Sequence, residues 1–413
     1  MVERIEEEIE KLNETSKARE YFVGNSFTRE RKMTSYDFVC YLLFQKGRTT
    51  NMELINYFKE KNQRYEQTIT KQAFSKQRMN IKSELFMDIT KSYVSDRYKE
   101  KEIKTFKRYK VLAIDGSVLE LPNTKELREE YATPKYKNGS VARARISSLY
   151  DVENDYIVDS IIESYGKTER ELAILNLNNA KEMMDIKQSI IIFDRGYYSE
   201  SFLKEILELK CKFIFRLKSN ALKKQSKLLK EKENKIKILD KEFRLTVVML
   251  KTGEVEYLLT NIEEEIISYE EMKEFYFKRW KIEGLYDLLK NKTHIENFSG
   301  KSKLTIEQDF YAGIYLCNIL EDIKKEANEE IKKEKQHNQL KYEYKTNMNI
   351  LAGVLKTILI GVFVVEEASM KELYMDMIEI AKRNLVPVIP DRSNPRIKKS
   401  TRDKYKTNLR RNM

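Results

Sequence analysis

Three acidic residues stand where chemistry could use them. Asp115 closes the apolar run KVLAID, Asp194 closes SIIIFD, each runs into a turn containing glycine, and Glu283 lies in the helical stretch YFKRWKIEGLYDLLK. An Asp after a strand is ordinary turn chemistry when it stands alone. Two at strand ends, with a Glu on a helix beside the same sheet, make an all-oxygen set suited to Mg2+ or Mn2+. Two such ions about 4 Å apart activate the attacking oxygen and stabilise the leaving oxygen of a phosphodiester. In the same helix Tyr276, Arg279, Glu283 and Lys290 fall within a strip about 60° wide, at about 100° per residue. Arg279 and Lys290 are set to hold phosphates beside the carboxylates, and Tyr276 to donate its hydroxyl to another phosphate oxygen.

Composition removes the competing chemistries. Cys40, Cys211 and Cys317 are far apart and odd in number, and His294 and His337 share no ligand spacing with them, which argues against zinc, haem and disulfide scaffolds. The net charge of +12 favours anionic partners. Nine Lys/Arg and two Asp fall between Asp391 and Met413, and this basic tail reads either as an arm on nucleic acid or as a solvated tail. The opening MVERIEEEIEKLNE is an acidic helix pattern rather than a signal peptide, and the apolar run Ile350 to Val365 is broken by Lys356 and Thr357. A buried helix in a soluble, intracellular protein with no membrane partner is expected.

Holding these residues requires a sheet with helices around it. Residues 1 to about 105 carry helical periods, among them Tyr36 to Phe44 and Met52 to Phe58, and no strand pattern. Thr70 is placed to cap a helix bearing Lys71, Lys76, Gln77 and Arg78. Following the helix at Met52 to Lys59, it reads either as the recognition helix of a helix-turn-helix or as a plain surface helix. The pattern changes at Lys110. KVLAID (110–115) predicts a strand, and VARARISSLYDV (141–152) with YIVDSIIESY (156–165) predicts a hairpin across Asn154-Asp155. A capping box at Thr168 and Glu171 opens a helix. SIIIFD (189–194), a helix from near Ser199 and the strand CKFIFRL (211–217) follow, an α/β order. Beyond the Lys/Glu-rich 218–234, a hairpin is predicted from EFRLTVVML (242–250) and EVEYLLT (254–260), turning at Lys251-Thr252-Gly253. Ser268 and Glu271 then cap one helix running through Lys290, and the chain is helical from about residue 300 to Arg383.

Together these motifs resemble a known family. Asp115 in AIDGS, Asp194 in FDRGYYS and Tyr276-x2-Arg279-x3-Glu283-x6-Lys290 match the motifs of DDE transposases from the bacterial insertion-sequence family numbered four, over roughly residues 30 to 300. The resemblance implies an α/β ribonuclease-H-like catalytic core (106–217 and 267–300) with an inserted β-rich subdomain (218–266). It implies flanking helical regions, a DNA-binding domain at 1–105 and a C-terminal region at 301–390, before the basic tail at 391–413. It further implies that Asp115, Asp194 and Glu283 are catalytic and bind two Mg2+ ions, for which Mn2+ can substitute. The implied partners are double-stranded DNA, at the terminal inverted repeats and at the target, and a second copy of the chain in the synaptic complex. The implied activity is cut-and-paste transposition, in a bacterial, nucleoid-associated cytoplasmic setting. In related enzymes the insertion can hold a flipped base, sometimes through a Trp. Here the lone Trp280 is in the Glu helix, which leaves Tyr257 or Phe243 as stacking candidates, each of which also reads as strand packing. Two other functions use the same residues: a silent sequence-specific DNA-binding protein, against which the intact triad argues, and a structure-selective nuclease without strand transfer.

Overall fold

The computed structural model describes residues 2–29, 31–61, 68–100, 103–134, 140–218, 221, 232–249, 253–335, 341–364 and 367–389. Two compact units emerge: residues 1–93 with 120–143 and 288–413, and residues 94–119 with 144–287.

The second unit is built on one sheet. Its strands are β1 (Lys110–Glu120), β2 (Arg143–Asp151), β3 (Tyr156–Ser164), β4 (Ser189–Phe193), β5 (Lys212–Leu217), β6 (Glu233–Ile238), β7 (Lys241–Met249) and β8 (Val255–Thr260). They lie in the order β3-β2-β1-β4-β5-β8-β7-β6. β1 pairs with β4 and β4 with β5 in parallel, whereas β2/β3, β5/β8, β7/β8 and β6/β7 are antiparallel. The unbroken apolar runs explain the centre, because a parallel strand covered on both faces has no place for alternation. Val111 to Ile114, Ile190 to Phe193 and Phe213 to Phe215 are fully buried. The helices Glu169–Ala180 and Glu200–Glu208 cover them with Ala173, Leu177, Phe202, Leu203 and Ile206.

One expectation is corrected here. The strands of the expected β-rich insertion at 218–266 continue the core sheet, since β8 pairs with β5 from Ile214↔Thr260 to Leu217↔Tyr257. That pairing satisfies backbone groups that an open β5 edge would expose, and Ile236, Ile238, Phe243, Leu245 and Leu259 join the same core. The helix expected to run unbroken from Ser268 to Lys290 comes in four pieces. An α-helix (Tyr269–Phe277) is followed by a 3-10 turn (Lys278–Trp280), an α-helix (Lys281–Asp287) and a π-helical turn (Leu288–Lys292). A single 100° wheel therefore does not describe it. The turn residues Lys251 and Thr252, most of 218–231 and the tail 391–413 lie outside the described residues.

The first unit is helical. Its N-terminal helices, among them Ser35–Phe44, Thr50–Glu60 and Lys71–Arg78, pack with Lys303–Lys335 and Met348–Val364. Buried polar bonds join the two ends of the chain: Tyr36 donates to the Phe363 carbonyl at 2.7 Å, Gln45 to Asp309 at 2.7 Å, and Arg78 pairs with Asp309 at 2.8 Å. Residues 1–93 thus fall in one unit with the described residues from Leu288 onward. Among the described residues no helix is long and apolar enough to cross a membrane.

Candidate active site

The β1/β4 register brings the two aspartates together. Lys110 pairs with Ser189 and Ala113 with Ile192, and continuing this pairing sets Asp115 level with Asp194, one strand spacing of about 4.8 Å away. The strand expected to end in a turn at Asp115 runs on to Glu120, so Asp115 lies within β1, whereas Asp194 follows the end of β4. Glu283 arrives on the helix from Ser268, which is bonded at both aspartates. Tyr286 donates to the Asp115 carbonyl at 2.6 Å, Tyr276 donates to Asp194 Oδ1 at 3.3 Å, and Lys278 and Lys281 pair with Glu153 and Asp155 in the β2–β3 turn.

Arg279 binds this arrangement together. Its side chain is only 4% exposed, and Nη2 lies 3.5 Å from Glu283 Oε1. Burial works against its charge, but Tyr276, Asp194 and Asp115 more than offset this and hold the guanidinium above its ordinary pKa. Arg216 approaches Asp194 at 3.6 Å while holding Glu256 at 2.7 Å. Burial pushes the Asp115 carboxyl up to about 6; the Gly116 amide and Arg279 pull it down, and Glu169 and Asp194 add to the rise.

Among the described residues no group of three or more His, Cys, Asp or Glu side chains is gathered to hold a metal ion, and Glu283 pairs with Arg279. The donor chemistry nevertheless fits a divalent cation. Asp115, Asp194, Glu283, Glu169 and Glu256 face Arg279, Arg216 and Arg145, so these groups carry two negative charges in excess, on hard oxygen donors, partly buried.

Other expected residues separate by environment. Tyr276 is 1% exposed and gives its hydroxyl to Asp194, so it is not free to meet a phosphate in this state. Lys290 belongs to the helical unit, where burial lowers its pKa against the opposing pull of Glu296 and Glu120. In that unit Thr70 caps the helix Lys71–Arg78 as expected, leaving Lys71 and Lys76 exposed and Gln77 half-buried. Arg78 corrects the recognition-helix reading. Four residues after buried Phe74 it faces inward, 3% exposed, and donates to Gln308 at 2.6 Å, the Thr305 carbonyl at 3.0 Å, Asp309 at 2.8 Å and Ser299. Phe243 is a core residue and Tyr257 packs on that core, while Trp280 is 42% exposed under the Arg279 guanidinium.

Sequence reasoning missed Arg216, Glu169 and Tyr286. Arg216 was the findable one: it is the lone charge inside the apolar FIFRL of β5.

The profile of the transposase DDE domain matches residues 106–319, more than half of the chain. A cryo-EM structure of a piggyBac transposase synaptic complex with hairpin DNA is similar with a TM-score of 0.42 and 13% identity, covering 92% of this chain and 78% of that one. No curated protein matches the chain. On the family match, which spans β1 to the helix that carries Glu283 and beyond, the chain belongs to the DDE-domain transposases, metal-dependent enzymes of DNA strand cleavage and transfer.

Proposed function

We propose that this chain is a transposase of the insertion-sequence family numbered four, which binds terminal inverted repeats and moves its element by cut-and-paste. In this reading β1 to β5 and their covering helices form a ribonuclease-H-like core, supported by the strand order β3-β2-β1-β4-β5 with parallel pairing only at β1/β4 and β4/β5 among the pairs given above. The observation that carries the proposal is the parallel β1/β4 register, which sets Asp115 of β1 level with Asp194 just beyond β4, with the Glu283 helix bonded at both positions.

Asp115, Asp194 and Glu283 are assigned as the carboxylates that hold two Mg2+ ions. Such ions supply Lewis acidity to both oxygens of an in-line phosphodiester displacement. The protein's own groups do the rest. Tyr276 orients Asp194, and Tyr286 fixes the main chain at Asp115. The Arg279 guanidinium is assigned to a DNA phosphate, a partner it would match through two parallel N–H donors. Lys290 is assigned a second phosphate. Lys71, Lys76 and Gln77 are assigned to the end DNA, and a second copy of the chain completes the synaptic complex.

The test is product analysis on labelled end duplexes with Mg2+ and wild-type protein. Nicked ends plus joined target product support the transposase. Nicks without joining mean a nuclease, and binding without any product means a silent DNA-binding protein.

A further inference from the structure

The side chain of Glu169 lies beside Gly116 of β1 and Gly196 of the Asp194 loop. A β-carbon at Gly116 would come within 2.9 Å of Glu169 Cγ, and one at Gly196 within 3.7 Å of its Oε2. The glycines that follow Asp115 and Asp194 therefore leave room for this side chain. Its position is fixed from several directions. Thr168 caps the helix that Glu169 begins. The next residue, Arg170, donates to the carbonyls of Tyr197, Gly196 and Tyr198 at 2.9, 3.0 and 3.1 Å, tying the helix start to the Asp194 loop. Arg145 reaches Glu169 Oε1 at 3.3 Å, and the side chain stays 42% exposed.

A separate feature points to a ligand at the same place. Tyr197 is 1% exposed and its hydroxyl has no hydrogen-bond partner. Burial first, and then the charges of Asp115 and Glu169 with Tyr286 and Asp194, raise the pKa of this hydroxyl. Arg279 Nε, in the same site, is also buried without a partner. A buried donor left unmade is costly and rare in folded proteins. A hydrated cation among these carboxylates gives the hydroxyl an acceptor in its water shell.

We infer that Glu169 is a fourth carboxylate of the active site, which holds the divalent cation through its water shell, with the Tyr197 hydroxyl bonded to the same shell. The inference rests on the assignment of Asp115, Asp194 and Glu283. Mg2+ keeps several of its waters in protein sites, and groups that act on a metal from beyond its direct ligands change affinity about 10- to 100-fold. A purely structural Glu169, pairing with Arg145 at a helix N-terminus, leaves metal affinity where it was.

The experiment is calorimetric titration of the full chain with Mn2+, alongside thermal unfolding, for wild type, Glu169→Gln, Tyr197→Phe and Asp115→Asn. Glu169→Gln is expected to bind about 10-fold more weakly or worse. Tyr197→Phe, which changes no charge, is expected to bind about threefold more weakly, and both keep the wild-type Tm in the absence of metal. Wild-type affinity in Glu169→Gln with a loss in Asp115→Asn overturns the inference and leaves the triad standing. Wild-type affinity in Tyr197→Phe overturns the shared water shell, since Glu169 would then act only as nearby charge. Unchanged affinity in Asp115→Asn as well, or no Mn2+ binding by wild type, contradicts the triad assignment itself.

Discussion

Arg78 and Arg279 are both buried arginines that sequence reasoning assigned to DNA, and they have opposite surroundings. Arg78 is saturated by Gln308, Ser299, the Thr305 carbonyl and Asp309, and Asp309 is in turn held by the Ser299 amide at 2.6 Å and by Gln45. Asp37 in the same unit is equally well supplied, by Lys61, Tyr57 and the Thr34 amide. Arg279 has a long bond to Glu283, a side-chain bond with Tyr276, an unpartnered Nε, and three carboxylates competing for it. A buried charge with a full set of partners is architecture. One left short of partners, among groups of one sign, is prepared for something that has yet to bind.

Removing each arginine separates the two cases. Arg78→Ala leaves Asp309 buried without its counter-charge and is expected to cost about 3–5 kcal/mol of stability, read as a fall in denaturant midpoint. A variant that unfolds at the wild-type midpoint would place Arg78 back among solvent-facing residues. Arg279→Ala is expected to cost little in unfolding but to slow single-turnover cleavage of end DNA by about 100-fold, on the scale of losing one preorganised electrostatic contact. Wild-type cleavage with a large stability loss would make Arg279 a second Arg78.

A smaller effect is expected on the exposed face of the helix Lys71–Arg78. Lys71→Ala and Lys76→Ala should each weaken end-DNA binding and lower the slope of log affinity against log salt by about 0.9, the signature of one lost phosphate contact. Equal slopes in wild type and variants would leave that helix a plain surface element.

What was legible in the sequence was local chemistry. The capping boxes at Thr168 and Ser268, the N-cap at Thr70, and the apolar runs of β4 and β5 all depend on residues a few positions apart, and each stands in the structure. What was not legible depended on partners far along the chain. Arg78 looks like a surface cation until Gln308 and Asp309, some 230 residues later, are known. β6 hid in a Lys/Glu-rich stretch because its short alternation, Asn-Lys-Ile-Lys-Ile, acquires meaning only against β7. The 3-10 turn at Lys278–Trp280 contains neither Pro nor Gly to announce a break. The aspartates were found because an Asp closing an apolar run is a local signal, although β1 continues past Asp115 to Glu120; Glu169 was missed because β1 and the Asp194 loop must meet before its place is visible.

The central claim is that Asp115, Asp194 and Glu283 perform the cleavage, and Glu283→Gln tests it most directly because it removes a charge while keeping shape. The measurement is Mg2+-dependent nicking of a labelled end duplex, with a gel shift of the same duplex in the same preparation. The account predicts a loss of nicking of at least about 1,000-fold with binding within about twofold of wild type. Nicking at the wild-type rate by Glu283→Gln would contradict it and remove this residue from the site.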